Sequence, residues 1–170
     1  MSAHRHRTTE DVDHSADEIF ALVADVESYP QFVPLCTGMK VRSRTFDGER
    51  EIVLAKMTVA YGFLRESFTS KVTLDRNARR ITAAALDGPF RLLDNIWAFE
   101  ALGERRTRID FSLSYEFRSR ALGLIVGAVF DRAFRRYVEA FKARADSVFG
   151  ATPAPAAGSS TAAPPGQPLA

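Results

Sequence analysis

The stretch from Ala121 to Gly150 constrains the fold more than any other part of the chain. Residues four apart lie on one face of a helix. Two adjacent rows at this spacing are apolar: Leu122, Val126, Phe130, Phe134 and Val138, then Ile125, Val129, Ala133, Tyr137, Phe141 and Ala145. The charged residues fall mostly on the other side, and Gly150 stands where a left-handed cap closes a helix. The pattern predicts one amphipathic helix of roughly 29 residues, about 43 Å long.

An apolar stripe this broad needs an apolar surface to cover, and the preceding residues provide one. Residues 39–117 contain six strand-like runs separated by turn signals such as Asp47-Gly48 and Asp87-Gly88-Pro89. Alternation is clearest in the last run, where one face carries Ile109, Phe111, Leu113, Tyr115 and Phe117. We therefore expect an antiparallel meander with one apolar face, covered by the terminal helix.

The N-terminal part of the chain is expected to begin with a basic, solvated tail over residues 1–7, including His4 and His6. A short strand is predicted over residues 8–13. The sequence Ser15-Ala16-Asp17-Glu18 matches a capping box and predicts a helix over residues 16–26. The apolar face of this helix is formed by Ile19, Phe20, Leu22 and Val23.

Residues 29–36, YPQFVPLC, form an apolar connector between two prolines, which exclude a long helix. A single helical turn that presents Tyr29, Phe32 and Val33 on one side fits this pattern. Two interpretations stay open. The connector is either a docking or lid element, or a hydrophobic plug that seals one end of the core.

Length and composition favour one soluble domain, over residues 8–150, followed by a disordered Pro/Ala-rich tail over residues 151–170. The net charge of +2 does not indicate a DNA-binding protein. Cys36 is the single cysteine, which rules out an internal disulfide and a multi-cysteine metal site. We find no secretory signal, organelle presequence or membrane-spanning run, and expect a cytoplasmic protein.

Motifs of catalysis are missing from the sequence. The three histidines all stand near the N-terminus, and no nucleophile elbow, phosphate-binding loop or metalloprotease motif occurs. We therefore expect a protein that is not an enzyme and has no metal and no cofactor. Two charged residues have open interpretations. Glu66 either shares the apolar face with Phe68 and needs a partner such as Arg65 or Lys56, or it precedes the strand and is solvated; Lys56 points either inward or outward.

A cavity is expected between the helix and the sheet, because a curved sheet and one helix with aromatic faces do not close without leaving space. Its predicted walls are Phe111, Leu113, Tyr115, Val126, Phe130, Phe134 and Tyr137. The first helical residues, 121–130, are apolar nearly all round. They either rest on a membrane surface or a partner, or are buried against the connector and the strand loops.

The order of strand, helix, meander and long helix resembles the α+β helix-grip fold of the START and Bet v 1 superfamily, in which a curved antiparallel sheet wraps around a long C-terminal helix. The motifs VADVESYPQFVPLC, RESFTSKV, and LDGPFRLL followed by WAF resemble the coenzyme Q-binding family of START-like proteins, within the polyketide cyclase-like superfamily. Its bacterial members include the ribosome association toxins (RatA). The likeness covers roughly residues 10–150.

The resemblance implies a protein that binds ubiquinone in the cavity without catalysis and supports respiration, with peripheral contact at the inner membrane. The residues carried over by the motifs are Tyr29, Pro30, Phe32, Pro34, Trp97 and Phe99. The quinone carbonyls require hydrogen-bond donors, for which Tyr115, Asn95 and Tyr137 are candidates. Trp97 is equally well interpreted as a core residue.

Two alternatives remain open at the level of sequence. The first is a toxin that binds the large ribosomal subunit and blocks subunit association, which the arginines on the outer helix face allow (Arg132, Arg135, Arg136 and Arg144). A solvated helix face explains the same charges. The second is a polyketide cyclase or aromatase, which the lack of a histidine in the predicted cavity disfavours.

Overall fold

The computed structural model describes residues 3–150, and the predicted tail over residues 151–170 lies outside them. Seven strands form one antiparallel sheet in the order β1-β7-β6-β5-β4-β3-β2. Their bounds are β1 His4–Val12, β2 Cys36–Asp47, β3 Arg50–Tyr61, β4 Leu64–Asp75, β5 Arg80–Ala85, β6 Phe90–Gly103 and β7 Arg106–Phe117. The helices are α1 Ala16–Ala24, a 3-10 helix Val26–Gln31, α2 Arg120–Arg135 and α3 Tyr137–Phe149.

The predicted meander is confirmed as strands β2 to β7, each paired with the next along the chain. Breaks in the pairing register occur in β2 and at both ends of β6, where extra residues bend the sheet. One face of the sheet is buried and faces the helices. On this inner face, β7 places Ile109, Phe111, Leu113, Tyr115 and Phe117 in the core, as the alternation predicted.

The expected N-terminal tail is wrong for residues 4–7, because the first strand begins at His4 and pairs with β7 along its whole length. His4 stacks on Tyr115, with 4.9 Å between the ring centroids. His6 Nε2 lies 2.9 Å from Asp131 Oδ1 in α2. These polar N-terminal residues form a strand because their backbone pairs with β7, which would otherwise be an unpaired edge of the sheet.

The capping box of α1 is confirmed. The Glu18 amide donates to Ser15 Oγ, and the Ser15 amide donates to the Glu18 carboxylate, each over 3.1 Å. The helix ends at Ala24, two residues earlier than predicted, and the chain continues as the 3-10 helix. The Tyr29 hydroxyl donates to the Val23 carbonyl over 2.5 Å and ties the two helices together.

The predicted single C-terminal helix is corrected to two helices, α2 and α3, separated at Arg136. There the Arg136 amide donates to the Ala133 carbonyl over 3.1 Å, a tighter turn than that of an α-helix. No glycine or proline marks the position in the sequence. Gly150 has a φ of 84° and ends α3, as predicted.

Glu66 and Lys56 both lie inside strands, so the interpretation that β4 begins at Ser67 is wrong. Glu66 is half-buried and shares the strand face of Phe68. Among residues 3–150 it has no ion-pair partner, and the expected pairing with Arg65 or Lys56 is not formed. Lys56 alternates with the buried Ala55 and therefore projects from the outer face.

Candidate functional site: an apolar cavity beneath the C-terminal helices

A cavity of about 90 Å³ lies between the inner face of the sheet and the two C-terminal helices. Its upper wall comes from the second half of α2 and the first residue of α3. One side is closed by the 3-10 helix and the residues that follow it. The lining consists of Val26, Tyr29, Pro34, Leu35, Met39, Ala55, Met57, Val59, Phe68, Ser70, Val72, Ile81, Ala83, Phe90, Leu93, Asn95, Trp97, Phe111, Leu113, Phe130, Ala133, Phe134 and Tyr137.

The cavity exists because the middle of the inner face carries small side chains. Ala55 of β3 pairs with Ser70 of β4, and Ala83 of β5 lies between Val72 and Asn95 in the adjacent row. Farther along the same face, β6 and β7 carry two large aromatic groups, Trp97 and Phe111, which pair across the two strands. The C-terminal helices pack on these aromatic side chains. Because close-packed side chains cannot overlap, the helices cannot also come into contact with the small residues, and a space is left above them.

A cluster of packed aromatic rings forms the side of the cavity next to β6, β7 and α3. Trp97 and Phe111 pair across β6 and β7, with 4.7 Å between their ring centroids. Tyr137 at the start of α3 lies over both, at 6.3 Å from Trp97 and 5.8 Å from Phe111. Phe141 packs against Trp97 at 4.9 Å from the helix above. This cluster fixes α3 on the sheet and forms an aromatic wall whose rings pack mostly edge to face.

Asn95 is, with Ser70, one of two polar side chains of the sheet in the cavity lining. Its Oδ1 accepts a hydrogen bond from Trp97 Nε1 over 2.8 Å. Its Nδ2 donates to the Ser112 carbonyl of β7 over 3.0 Å. The amide is therefore held in one orientation by two neighbours, and one N–H of Nδ2 has no acceptor among the described residues.

Two hydroxyl groups in the lining also lack a hydrogen-bond partner within residues 3–150, those of Ser70 and Tyr137. Burial raises the pKa of the Tyr137 phenol well above its ordinary value of 10.0, so the group stays protonated and acts as a donor. Burial also raises the pKa of Tyr29, but its hydroxyl already donates to Val23. A buried phenol normally has a partner, so Tyr137 is a candidate ligand contact.

The lining contains no side chain of Asp, Glu, Lys, Arg or His. A charged ligand group would therefore be buried without a counter-charge, which is costly. Within residues 3–150, no group of three or more His, Cys, Asp or Glu side chains is placed to hold a metal ion. The cavity is suited to a neutral, mostly apolar molecule that carries a few hydrogen-bond acceptors.

Nine of the predicted site residues line this cavity: Tyr29, Pro34, Asn95, Trp97, Phe111, Leu113, Phe130, Phe134 and Tyr137. That they bind a ligand stays a prediction. The other five lie elsewhere, and the expectation that Tyr115 and Val126 form its walls is wrong. Val126 is buried in the helix–sheet contact, and Tyr115 lies between His4 and Phe134, where burial raises its pKa to about 12.

The remaining three belong to the ends and the outside of the core. Pro30 is exposed within the 3-10 helix. Phe32 packs on Phe141 at 4.9 Å, on the side that faces Arg144 rather than the cavity. Phe99 packs against Phe20 of α1 and lies two residues along β6 from the lining residue Trp97. The connector thus both seals the core, through Phe32, and lines the cavity, through Tyr29 and Pro34.

Sequence reasoning missed the lining on strands β2 to β5. The available signal was the small residues Ala55, Ser70 and Ala83, which share the parity of buried neighbours such as Val53 and Val72. Small residues in a strand usually indicate positions that contribute little to the core. Whether they form the floor of a cavity depends on which side chains pack above them.

The fold and the site together define a helix-grip protein with an internal apolar cavity. The solution structure of an 18 kDa protein from Caulobacter crescentus superposes with a TM-score of 0.70 at 39% identity, covering 87% of this chain and 99% of that one. The crystal structure of the Zhui aromatase/cyclase from a Streptomyces species superposes with a TM-score of 0.71, covering 88% and 99% of the two chains. At 18% identity, the second likeness shows the fold alone.

The chain belongs to the family described as polyketide cyclase/dehydrase and lipid transport, whose model matches residues 12–142. The ribosome association toxin RatA of Escherichia coli K12 is 36% identical over 140 residues, covering 82% of this chain and 85% of that protein. The mitochondrial coenzyme Q-binding protein COQ10 of Dictyostelium discoideum is 26% identical over 146 residues, covering 85% and 70%. These relatives confirm the resemblance read from the motifs.

Proposed function

We propose that this protein binds a neutral prenyl lipid of the ubiquinone type in the cavity and carries or presents it without chemical change. The observation that supports this most strongly is the lining, which is apolar and uncharged apart from the unpaired donors of Ser70, Asn95 and Tyr137. A prenyl chain needs only apolar contact, and a quinone ring offers carbonyl acceptors. The relative named as a coenzyme Q-binding protein supports the same class of ligand.

The size of the cavity sets a condition on this proposal. A volume of about 90 Å³ is smaller than the roughly 150 Å³ of an engineered cavity that admits benzene. A substituted ring with a prenyl chain therefore requires the cavity to widen. The movable wall is α2, because the break at Arg136 separates it from α3 and its first turns make few buried contacts.

Lipid extraction tests the proposal directly. The protein is purified from a quinone-producing host, and its bound lipids are extracted and identified by mass spectrometry. We expect a prenyl quinone at a substantial fraction of one per protein. If no prenyl lipid co-purifies and titration with a short-chain quinone shows no binding, the proposal is wrong.

A membrane surface is the proposed place of lipid exchange. Three large apolar side chains are exposed at the end of the molecule that carries the β3–β4 turn: Phe63 (98%), Leu124 (88%) and Ile125 (68%). Exposed arginines lie in strand and helix ends at the same end, namely Arg65, Arg91, Arg118 and Arg120, and of these Arg91 is paired with Glu116. Exposed apolar groups together with cations suit an anionic lipid surface. Within residues 3–150, no helix is long and apolar enough to cross a membrane.

Vesicle sedimentation tests this contact. The double variant Phe63→Ser, Leu124→Ser should bind vesicles of anionic phospholipid at least tenfold more weakly than the original protein. Phe46→Ser is the matched control, because Phe46 is also exposed but lies at the opposite end of the sheet. An equal loss of vesicle binding in the double variant and in the control, or no loss in the double variant, would contradict the proposal that this end of the molecule contacts the membrane.

A second candidate function is inhibition of ribosomal subunit association. The observation that favours it is the similarity to proteins named RatA, which at 36% identity exceeds the 26% identity to COQ10. The exposed arginines Arg132 and Arg135 at the end of α2, with Arg136 just after it, allow contact with RNA. Sucrose-gradient analysis of ribosomes with added protein tests it, and unchanged subunit joining would count against it.

A cyclase activity has less support. The shared fold with an aromatase/cyclase does not transfer its chemistry, since one fold supports many functions. The lining offers no carboxylate, histidine or lysine to move a proton, and burial raises the pKa of its phenols, which makes them weaker acids. That the protein is not an enzyme, and needs no cofactor, stays a prediction.

A further inference from the structure

We propose that two residues of the sheet control the opening of α2 in opposite directions. His6 of β1 holds the helix closed through Asp131, and the buried hydroxyl of Tyr115 in β7 favours opening. The inference rests on the proposed lipid-binding function, in which α2 is the movable wall of the cavity. It goes beyond that function by assigning the residues that set how often α2 opens and how fast a ligand leaves.

His6 provides an ion pair between the sheet and α2. It lies opposite Leu113, a residue of the cavity lining, so its side chain is on the inner face of the sheet. His6 Nε2 is 2.9 Å from Asp131 Oδ1, and neither side chain is more than 34% exposed. Water therefore screens this pair less than it screens a pair on the open surface.

The contact is close but not well directed. Among residues 3–150, His6 Nε2 makes no hydrogen bond of normal geometry. The attraction to Asp131 is thus one between charges, and it is weaker than a charge-assisted hydrogen bond. A contact of this kind holds α2 closed without preventing it from opening.

Tyr115 acts against closure because its hydroxyl is buried without a partner. The residue is 0% exposed, and its ring lies 4.9 Å from that of Phe134 in α2. Burial and the nearby Asp131 carboxylate raise its pKa to about 12, so the phenol keeps its hydrogen at neutral pH. Its oxygen has no hydrogen-bond partner within residues 3–150. A buried unpaired hydroxyl destabilises the state that buries it, and opening of α2 lets water pair with it.

The two C-terminal helices differ in how they are held. Lys142 and Asp146 join α3 to Glu10 and His14, and Phe141 packs on Trp97. The break at Arg136 lets α2 move while α3 stays in place. Because α2 contributes Phe130, Ala133 and Phe134 to the lining, its movement opens the cavity from one side.

Hydrogen exchange on the ligand-free protein, followed by mass spectrometry, tests the two controls. Asp131→Asn keeps the shape of the side chain but removes its charge, and amides of α2 should exchange about threefold faster. Tyr115→Phe removes the unpaired hydroxyl, and the same amides should exchange about fivefold more slowly. Amides of α3 should be unchanged in both variants. A shift of α2 in the same direction in both variants, or no shift, would overturn the inference.

Arg135→Gln is the matched control on the same helix. Arg135 Nε lies 3.0 Å from Asp131 Oδ2, so this variant removes a contact within α2 and leaves His6 beside Asp131. It should not speed the exchange of α2. An acceleration equal to that of Asp131→Asn would mean that the pair within the helix, and not His6, is responsible.

The rate of ligand release tests the link between helix opening and the cavity. Trp97 is the single tryptophan of the chain and lines the cavity, so a bound quinone ring should quench its fluorescence. Release of a decyl-substituted benzoquinone, measured by stopped flow, should be faster in Asp131→Asn and slower in Tyr115→Phe. Equal release rates in the three proteins would overturn the control of ligand release.

Failure of the proposed function and failure of this inference give different results. If the quinone neither quenches Trp97 nor binds by calorimetric titration in the unmodified protein, the lipid-binding function is wrong. Hydrogen exchange on the ligand-free protein still decides whether His6 and Tyr115 control α2. Circular dichroism shows that each variant is folded, and if Tyr115→Phe is not, the comparison of Asp131→Asn with Arg135→Gln decides.

Discussion

Gly88 is a single residue on which the packing of several strands depends. Its φ of 87° lies in the left-handed region, and a Cβ at this position would lie 2.5 Å from Phe68 Cβ and 2.8 Å from the Ser67 carbonyl oxygen. Neither atom can move without shifting β4. We expect Gly88→Ala to lower the free energy of unfolding by about 3 kcal/mol, measured by denaturant titration.

Gly48→Ala separates the backbone contribution from the clash. Gly48 also has a positive φ, of 64°, but no atom lies within 4 Å of the added Cβ. The expected loss is only about 1 kcal/mol, from the left-handed backbone alone. Similar losses in the two variants would mean that the contact with Phe68 is relieved by movement.

Cys36 is predicted to be an unreactive thiol. It is 5% exposed, and burial raises its pKa from 9.0 to about 11. Because a higher pKa leaves less thiolate at a given pH, reaction with a disulfide reagent at pH 8 should be at least tenfold slower in the folded protein than in denaturant. Equal rates would show that the β2 end of the core opens readily.

At the level of elements, the first strand and His14, which follows it, fasten the C-terminal helices to the sheet edge. His6 contacts Asp131, Glu10 accepts a hydrogen bond from Lys142 Nζ over 2.6 Å, and His14 Nε2 lies 2.7 Å from Asp146 Oδ1. The last two contacts hold α3, which the aromatic cluster around Trp97 also fixes. Of these three contacts only the first reaches α2, which is otherwise held on the sheet by the rings of Phe130 and Phe134, so we expect α2 to be the helix that moves when a ligand enters.

The pairing of β1 with β7 should depend on pH through Asp11. Its carboxylate accepts from Arg108 Nε and Nη2 over 2.9 and 3.1 Å, and this contact lowers the Asp11 pKa below its ordinary 3.8. A carboxyl with a lowered pKa stabilises the fold above its unfolded pKa, and the effect is lost as pH falls through the folded value.

The Asp11→Asn variant tests this contribution. It should be less stable than the original protein at pH 6, and the difference should shrink below about pH 4 and vanish as pH falls through the lowered pKa of the folded Asp11. Denaturant midpoints across this range give the comparison. A constant difference at every pH would mean that charge on Asp11 is not the cause.

At the level of the whole molecule, the cavity and the core share residues, so binding and stability are coupled. Phe130 shows this most clearly: it is 6% exposed, lines the cavity and contacts the rings of Phe90, Phe117 and Phe134. Phe130→Arg should abolish lipid binding and lower stability by several kcal/mol, because it buries an unpaired charge.

Circular dichroism with the binding assay separates the two effects. Ile125→Arg is the matched control, since Ile125 lies on the same helix but is 68% exposed and does not line the cavity. It should melt at the same temperature as the original protein and bind a short-chain quinone from solution equally well. A stable Phe130→Arg protein with unchanged binding would contradict the assigned cavity.

The sequence by itself determined the elements and the faces they bury. Alternation in β7, the capping box before α1 and the spacing of Phe130, Phe134 and Phe141 are local patterns, and each follows from the geometry of a strand or a helix. They were sufficient for the fold and for most of the cavity wall that β6, β7 and the helices supply, although they wrongly added Tyr115 and Val126 to it.

Tertiary structure decided the rest. That His4 and His6 join the sheet depends on the free edge of β7, and the break at Arg136 has no local signal. Ala55, Ser70 and Ala83 form a cavity floor only because the aromatic pair Trp97 and Phe111 holds the helices above them. The volume of a cavity depends on the side chains that surround it in three dimensions. The residue pattern of one strand does not contain the size of the side chains on adjacent strands and helices.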